Sequence, residues 1–74
     1  MIRKRSVKLQ RHATSVSLED EYWTELKRIA DAGGESLAAL IERIDAERSG
    51  DNLSSALRLA VLADLKGAAR GHST

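Results

Sequence analysis

Apolar and polar positions follow two different periods along the chain. From Thr14 to Leu18, apolar and small polar side chains alternate with a period of two, as in a strand with one buried face. Val7 and Leu9 alternate on the opposite parity, so one unbroken strand cannot place all these apolar residues on the same face. The pattern therefore predicts one short strand over residues 14–18 and a bulge, bend or turn near residues 10–12.

Helical periodicity begins after this strand and continues through three segments. Acidic residues precede the apolar stripe of the first segment, Tyr22–Ala30, and Gly33-Gly34 supplies its stop. A second helix starts at Ser36, a favourable N-cap. The third, over about residues 52–66, is apolar around more than half of its circumference. Such breadth is typical of a helix that is buried on two sides.

The predicted strand has no convincing partner strand within the chain. Because buried backbone groups need hydrogen-bond partners, we expect the pairing strand to come from a second copy. A chain of 74 residues without cysteine also has little core of its own and no disulfide. We therefore expect three regions: a basic N-terminal arm over residues 1–12, a folded domain over residues 13–66, and a flexible tail over residues 67–74.

The net charge of +1 conceals an uneven distribution. Residues 13–74 hold seven basic and eleven acidic residues, whereas residues 1–12 hold five basic residues and no acid. A basic arm on an acidic body indicates a polyanionic partner. Few apolar anchors accompany the arm, which favours nucleic acid over a membrane surface. The five basic residues are Arg3, Lys4, Arg5, Lys8 and Arg11.

Several classes of protein are disfavoured by what the sequence lacks. No nucleophile stands with a base, and neither His12 nor His72 belongs to a metal-ligand pattern, so we predict no enzyme, no cofactor and no metal. The chain has no apolar run long enough for a secretory signal or a spanning helix. We therefore expect a cytoplasmic protein without membrane contact.

The order of these elements resembles the ribbon-helix-helix family of bacterial DNA-binding proteins. The resemblance covers residues 7–66; it lies in the basic arm, the Thr14–Leu18 strand, Gly33-Gly34 between two helices, and the segment 52–58 that is typical of the variety with an added C-terminal helix. It implies a mainly α fold with one short β-strand and two to three helices per chain. It also implies a homodimer whose strands form an intermolecular two-stranded antiparallel ribbon.

The resemblance also assigns roles to individual residues. The ribbon would enter the major groove of double-stranded DNA, which admits two strands. Residues predicted to contact bases are Arg11, Ala13, Ser15 and Ser17. Residues predicted to contact phosphates are Arg3, Lys4, Arg5, Lys8, Ser36 and Leu37. Residues predicted to form the dimer core are Val16, Leu18, Trp23, Leu26, Ile29, Leu40, Ile41 and Ile44.

Some alternatives stay open at this point. Ser17 is either a DNA contact or a helix cap in a box with Asp20. The short side chains of Ala13 and Ser15 predict weak discrimination between bases. The chain is accordingly expected to be a transcriptional repressor or autoregulator with more or less specific DNA binding. The alternative is a dimeric, antitoxin-like interaction module without sequence readout, whose third helix docks another protein.

Overall fold

A computed structural model gives the fold of residues 1–10, 12–48 and 52–71, with side chains described as far as residue 67. Two strands come first and three helices follow. In chain order, the elements are β1 (Ile2–Lys8), β2 (Ala13–Glu19), α1 (Asp20–Ala32), α2 (Leu37–Glu47) and α3 (Leu53–Gly71).

The two strands form an antiparallel hairpin within one chain. The register sets Ile2 opposite Glu19 and Lys8 opposite Ala13. Between the strands, the Leu9 N–H donates to the His12 carbonyl at 2.9 Å, so the turn predicted near residues 10–12 is confirmed. The expectation of a single strand is wrong, because β2 finds its partner in its own chain.

The residues predicted to be a basic arm belong largely to this hairpin. Arg3 and Arg5 lie on β1 opposite the buried residues Leu18 and Val16, so they occupy the positions that face the helices. An apolar residue usually fills such a position. Because cations fill both of these positions in β1, the sequence does not show the alternation of apolar and polar residues that is typical of a strand. Leu9 follows the strand and is buried, which fixes the end of β1 against the core.

Helix α1 differs from expectation at its start and agrees with it at its end. Glu19 is the N-cap, and its side chain makes no hydrogen bond to the backbone of the first turn, so the predicted capping box of Ser17 and Asp20 is wrong. The acidic first turn still favours the helix through its dipole.

At the C-terminus of α1, the Glu35 N–H donates to the Ala30 carbonyl at 3.0 Å, and the Gly34 N–H donates to the Asp31 carbonyl at 3.1 Å. These two bonds form a Schellman motif, whose left-handed position is Gly34 with a φ of 69°. A residue with a Cβ would be strained there.

The other two helices have side-chain caps. Ser36 Oγ accepts the Ala39 N–H at 3.0 Å, and Asn52 Oδ1 accepts the Ser55 N–H at 2.8 Å. Helix α3 runs five residues beyond its predicted end at residue 66 and includes part of the expected tail. A single glycine, Gly67, weakens a helix without breaking it, and the following Ala-Ala-Arg sequence favours helix. Residues 72–74 of that tail lie outside the described residues. In the described part of the chain, no helix is both long and apolar enough to cross a membrane.

One apolar cluster joins the inner face of the hairpin to all three helices. Of the eight residues predicted for a dimer core, seven are buried in this cluster inside a single chain, and Ile29 packs against it half-buried. These residues are therefore covered within one chain and do not form an exposed surface for a partner. Helix α3 covers these residues with Leu57 and Val61, which are almost fully buried. The members of the cluster are Leu9, Val16, Leu18, Trp23, Leu26, Ala30, Leu40, Ile41, Ile44, Leu57 and Val61.

Candidate nucleic-acid interface

The hairpin presents one face to the helices and one to solvent. Directly opposed residues of an antiparallel pair point to the same side of the sheet. Because Val16 and Leu18 are fully buried, the alternate positions of β2 and their partners on β1 point outward. We call this set the outward face. It contains the pairs Lys4–Ser17, Ser6–Ser15 and Lys8–Ala13 and, at one end of the strands, the pair Ile2–Glu19.

The outward face combines small side chains with two cations. Lys4 and Lys8 are exposed, and neither forms an ion pair within the described residues. Between them lie Ser6 and Ser15, which have only short hydroxyl side chains. Lysine is a flexible point charge that suits phosphate oxygens, whereas a serine hydroxyl bonds to any base with little discrimination. The face therefore suits contact with a nucleic-acid backbone better than discrimination between sequences.

Two of the predicted phosphate contacts lie on the other side of the sheet. Arg3 Nε is 3.1 Å from Asp20 Oδ1, and the Arg5 guanidinium carbon lies 5.0 Å from the centre of the Trp23 ring. Trp23 itself is only 2% exposed. Arg5 thus covers a buried aromatic ring, an interaction that stabilises the fold. The structure groups Lys4 with Lys8 and separates both from the two arginines.

The predicted phosphate site at the start of α2 adjoins the outward face. Leu37 is the first residue of this helix, and the N–H groups of a first turn lack helical partners and carry the positive end of the dipole. Ser36 caps one of them through Ala39. Lys8 and Ser36 line the same groove, which has a volume of about 420 Å³. The predicted phosphate contacts on the strand and at the start of the helix are therefore neighbours.

The same groove also contains a negative charge. Glu42 lines it and accepts the Gln10 N–H at 2.8 Å through Oε2. Arg43 is another lining residue, but its guanidinium bonds to Glu35 at 2.7 Å, which raises the pKa of Arg43. Glu42 holds the turn of the hairpin against α2. Its carboxylate opposes the binding of an anion in this groove, whereas Lys8 and the cap at Ser36 favour it.

Ser17 makes contacts that the sequence did not indicate. Its N–H donates to Ser54 Oγ at 3.2 Å, and its carbonyl accepts from Arg58 Nη2 at 3.4 Å. Arg58 also pairs with Glu19 at 3.1 Å and lies 5.8 Å from the centre of the Tyr22 ring. We call the bonds of Ser54 and Arg58 to Ser17 and Glu19 the α3 contact.

The α3 contact also acts on a titratable group. The pKa of Glu19 is lowered by a backbone hydrogen bond at Glu19 itself and, in addition, by the Arg58 guanidinium. Sequence reasoning missed Ser54 and Arg58 in this role, since they lie 37 and 41 residues from Ser17 and no local pattern connects such distant positions.

Comparison with known families identifies the fold. A family model described as a ribbon-helix-helix domain matches residues 2–65, most of the chain. The chain belongs to the ribbon-helix-helix family. Ribbon-helix-helix domains typically dimerise and bind DNA as regulators. No curated protein and no solved structure matched the sequence.

In this ribbon-helix-helix domain, the predicted base-contacting residues share one surface as far as the structure describes them. Ala13 and Ser15 are exposed on the outward face and Ser17 is half-buried there, while Arg11 lies outside the described residues. Ser6 was missed as a member of the face. Its position two residues from both Lys4 and Lys8 would have indicated it once β1 was recognised as a strand. Among the described residues, no cluster of three metal-ligating side chains was found.

Proposed function

We propose that this chain is a bacterial cytoplasmic transcriptional regulator, a repressor or autoregulator, that binds double-stranded DNA as a homodimer through the outward face. The observation that carries the proposal is the position of Lys4 and Lys8. They are exposed and without ion pairs in the described residues, and they flank the small β2 residues of a ribbon-helix-helix domain. Such a surface offers charge for phosphates and close approach for the backbone of the strand.

The spacing of the strands supports different DNA contacts for β1 and β2 on this face. In a dimer that pairs two β2 strands, each β1 is the outer strand. Neighbouring strands lie about 4.8 Å apart, which places β1 roughly 7 Å from the dimer axis. The major groove is about 12 Å wide, so β1 lies near its walls and β2 near its floor. Lys4 and Lys8 then contact phosphates, while Ala13, Ser15 and Ser17 approach base edges.

A change at the centre of the outward face tests this arrangement. Serine contributes little discrimination, whereas asparagine bonds to adenine through two hydrogen bonds. We expect Ser15→Asn to enrich an adenine-containing motif, relative to the wild type, in a selection from a random duplex pool. Thr24→Asn is the matched control, since Thr24 is exposed on α1 away from this face. Identical motifs for Ser15→Asn and the wild type would contradict contact between this face and bases.

The alternative function is a dimeric, antitoxin-like interaction module. It is favoured by a row of leucines on α3: Leu59, Leu62 and Leu65 are 55%, 47% and 46% exposed. Apolar residues at this spacing follow one side of a helix and suit a protein partner. This function predicts that no motif is enriched by the wild type or by Ser15→Asn. It also predicts that duplex affinity is unchanged when Lys4 and Lys8 are both replaced by glutamine.

A further inference from the structure

The free edge of β2 is partly occupied by the chain's own helix. In a strand, the N–H and C=O of one residue point to the same side, and the side alternates along the strand. Both groups of Ser17 bond to α3, so they point away from β1. The groups of Ala13 and Ser15 share that direction, and from that side they make no hydrogen bond within the described residues. The β2 edge is thus open at Ala13 and Ser15 and closed at Ser17.

The other edge of the hairpin is unsuited to pairing with itself. Strand β1 carries Arg3, Lys4, Arg5 and Lys8 and no acid. Two copies paired along this edge would bring eight cations together, and like charges on facing strands are destabilising. Residues 13–18 of β2 carry no charge. A second copy of this chain therefore fits the β2 edge.

Pairing along the β2 edge conflicts with the α3 contact. A symmetric antiparallel ribbon centred on Ser15 sets Ser17 of each copy opposite Ala13 of the other, and both residues contribute backbone groups to the ladder. At Ser17 these groups are already bonded to Ser54 and Arg58. If α3 keeps them, a symmetric ribbon retains little more than the residues around Ser15.

We propose that α3 and the β2 strand of a second copy compete for the backbone groups of Ser17. The inference rests on the proposed homodimer and adds what must move when it forms. Each copy releases Ser54 and Arg58 from Ser17, and the partner strand replaces them. Because the Ser17 N–H donates to only one acceptor at a time, the strength of the α3 contact sets the concentration at which the chain dimerises.

Removal of the α3 contact tests the competition. In Ser54→Ala, the bond to the Ser17 N–H is lost, while alanine remains a good helix former. A dimer releases two such bonds, so we expect the dimer dissociation constant, measured by sedimentation equilibrium, to fall by roughly tenfold. Arg58→Gln is a second variant that weakens the same contact from another position, and it should shift the constant in the same direction.

The matched control removes a different ion pair of the same helix. Arg28 of α1 bonds to Asp64 of α3 at 2.7 Å. Asp64 lies further along α3 than Ser54 and Arg58, and it makes no bond to Ser17. Arg28→Gln should leave the dimer constant within about twofold, because it does not touch the β2 edge. If the dimer dissociation constant is unchanged or larger in both Ser54→Ala and Arg58→Gln, the competition is overturned while the homodimer stands. If the wild type and all the variants remain monomeric, the homodimer itself is overturned.

Discussion

The two faces of the β-hairpin carry similar charges in different environments. On β1, Lys4 and Lys8 face solvent without ion pairs in the described residues, whereas Arg3 pairs with Asp20 and Arg5 covers the Trp23 ring. All four are cations within seven residues of one strand. The difference shows that strand parity, and not the density of charge, decides which of these cations have partners inside the chain. In the proposed function, a count of basic residues in this segment therefore overstates the cations that are free of such partners.

The same division applies to β2, where it has its largest expected effect on stability. Leu18 is fully buried on the helix-facing side, and Leu18→Ala should lower the free energy of unfolding by about 2–5 kcal/mol. Ser15→Ala, on the outward face, should change it by no more than about 0.5 kcal/mol. Urea denaturation followed by circular dichroism measures both. Equal losses in the two variants would contradict the assignment of faces.

In DNA binding, the lysines and the arginines of β1 are expected to differ. Lys4→Gln with Lys8→Gln removes four cations from the outward face of a dimer. The slope of log affinity against log salt should become shallower by about 3.6, because each phosphate contact contributes about 0.9. Arg3→Gln with Arg5→Gln removes the same formal charge from the opposite face and should leave the slope nearly unchanged. Fluorescence anisotropy of a labelled duplex at several salt concentrations separates the two; equal changes would mean that parity does not matter.

A smaller effect is expected where Arg5 lies over Trp23. Arg5→Gln should lower the free energy of unfolding by about 0.5–1 kcal/mol through loss of the cation–π contact. Because Trp23 is the only tryptophan, its emission spectrum reports this change directly. Lys4→Gln serves as the comparison, since Lys4 is exposed on the outward face and does not line the pocket that Arg5 and Trp23 share. The prediction fails if Lys4→Gln alters the emission as much as Arg5→Gln does.

The smallest effect concerns Glu19, at the end of the outward face beside Arg58. Its pKa in the folded chain lies below the ordinary value of 4.5, because a backbone hydrogen bond at Glu19 and then Arg58 favour the carboxylate. The stabilisation is therefore complete above pH 4.5 and is lost as the pH falls through the lower folded pKa. Thermal melts across this acidic range should show a shallower loss of stability for Glu19→Gln than for the wild type. Glu21→Gln removes a neighbouring carboxylate outside the Arg58 pair, and a melt series that matches Glu19→Gln would refute the assignment.

The helices were predictable from the sequence because each contains its own information. The apolar stripe of α1 repeats with the helical period, Gly34 adopts the left-handed conformation that ends it, and Ser36 caps α2 as its residue type suggests. Ala13 and Ser15, the predicted base contacts, also lie on the face that the alternation of β2 predicts. These features depend on residues within a few positions of one another.

Strand β1 and the α3 contact were missed for physical reasons. The helix-facing positions Arg3 and Arg5 are cations, so the hydrophobic period that identifies a strand is absent there. Val7 marks their parity, but its meaning becomes clear only when the hairpin register is known. Ser54 and Arg58 bond to Ser17 across most of the chain, and such a contact arises from the packing of α3 and not from local sequence.

The turn between the strands determines which face of the hairpin each side chain of β1 occupies. The bond between Leu9 and His12 joins the two strands at a fixed register, and a shift of one residue in a strand sends every side chain to the opposite face. If the number of residues between Lys8 and Ala13 changed by one and β2 stayed in place, Lys4 and Lys8 would turn toward the helices, and Arg3 and Arg5 would turn toward solvent. The composition and net charge of the strand would be the same, yet its two surfaces would be exchanged. The length of this turn therefore determines the proposed interface as much as the lysines do.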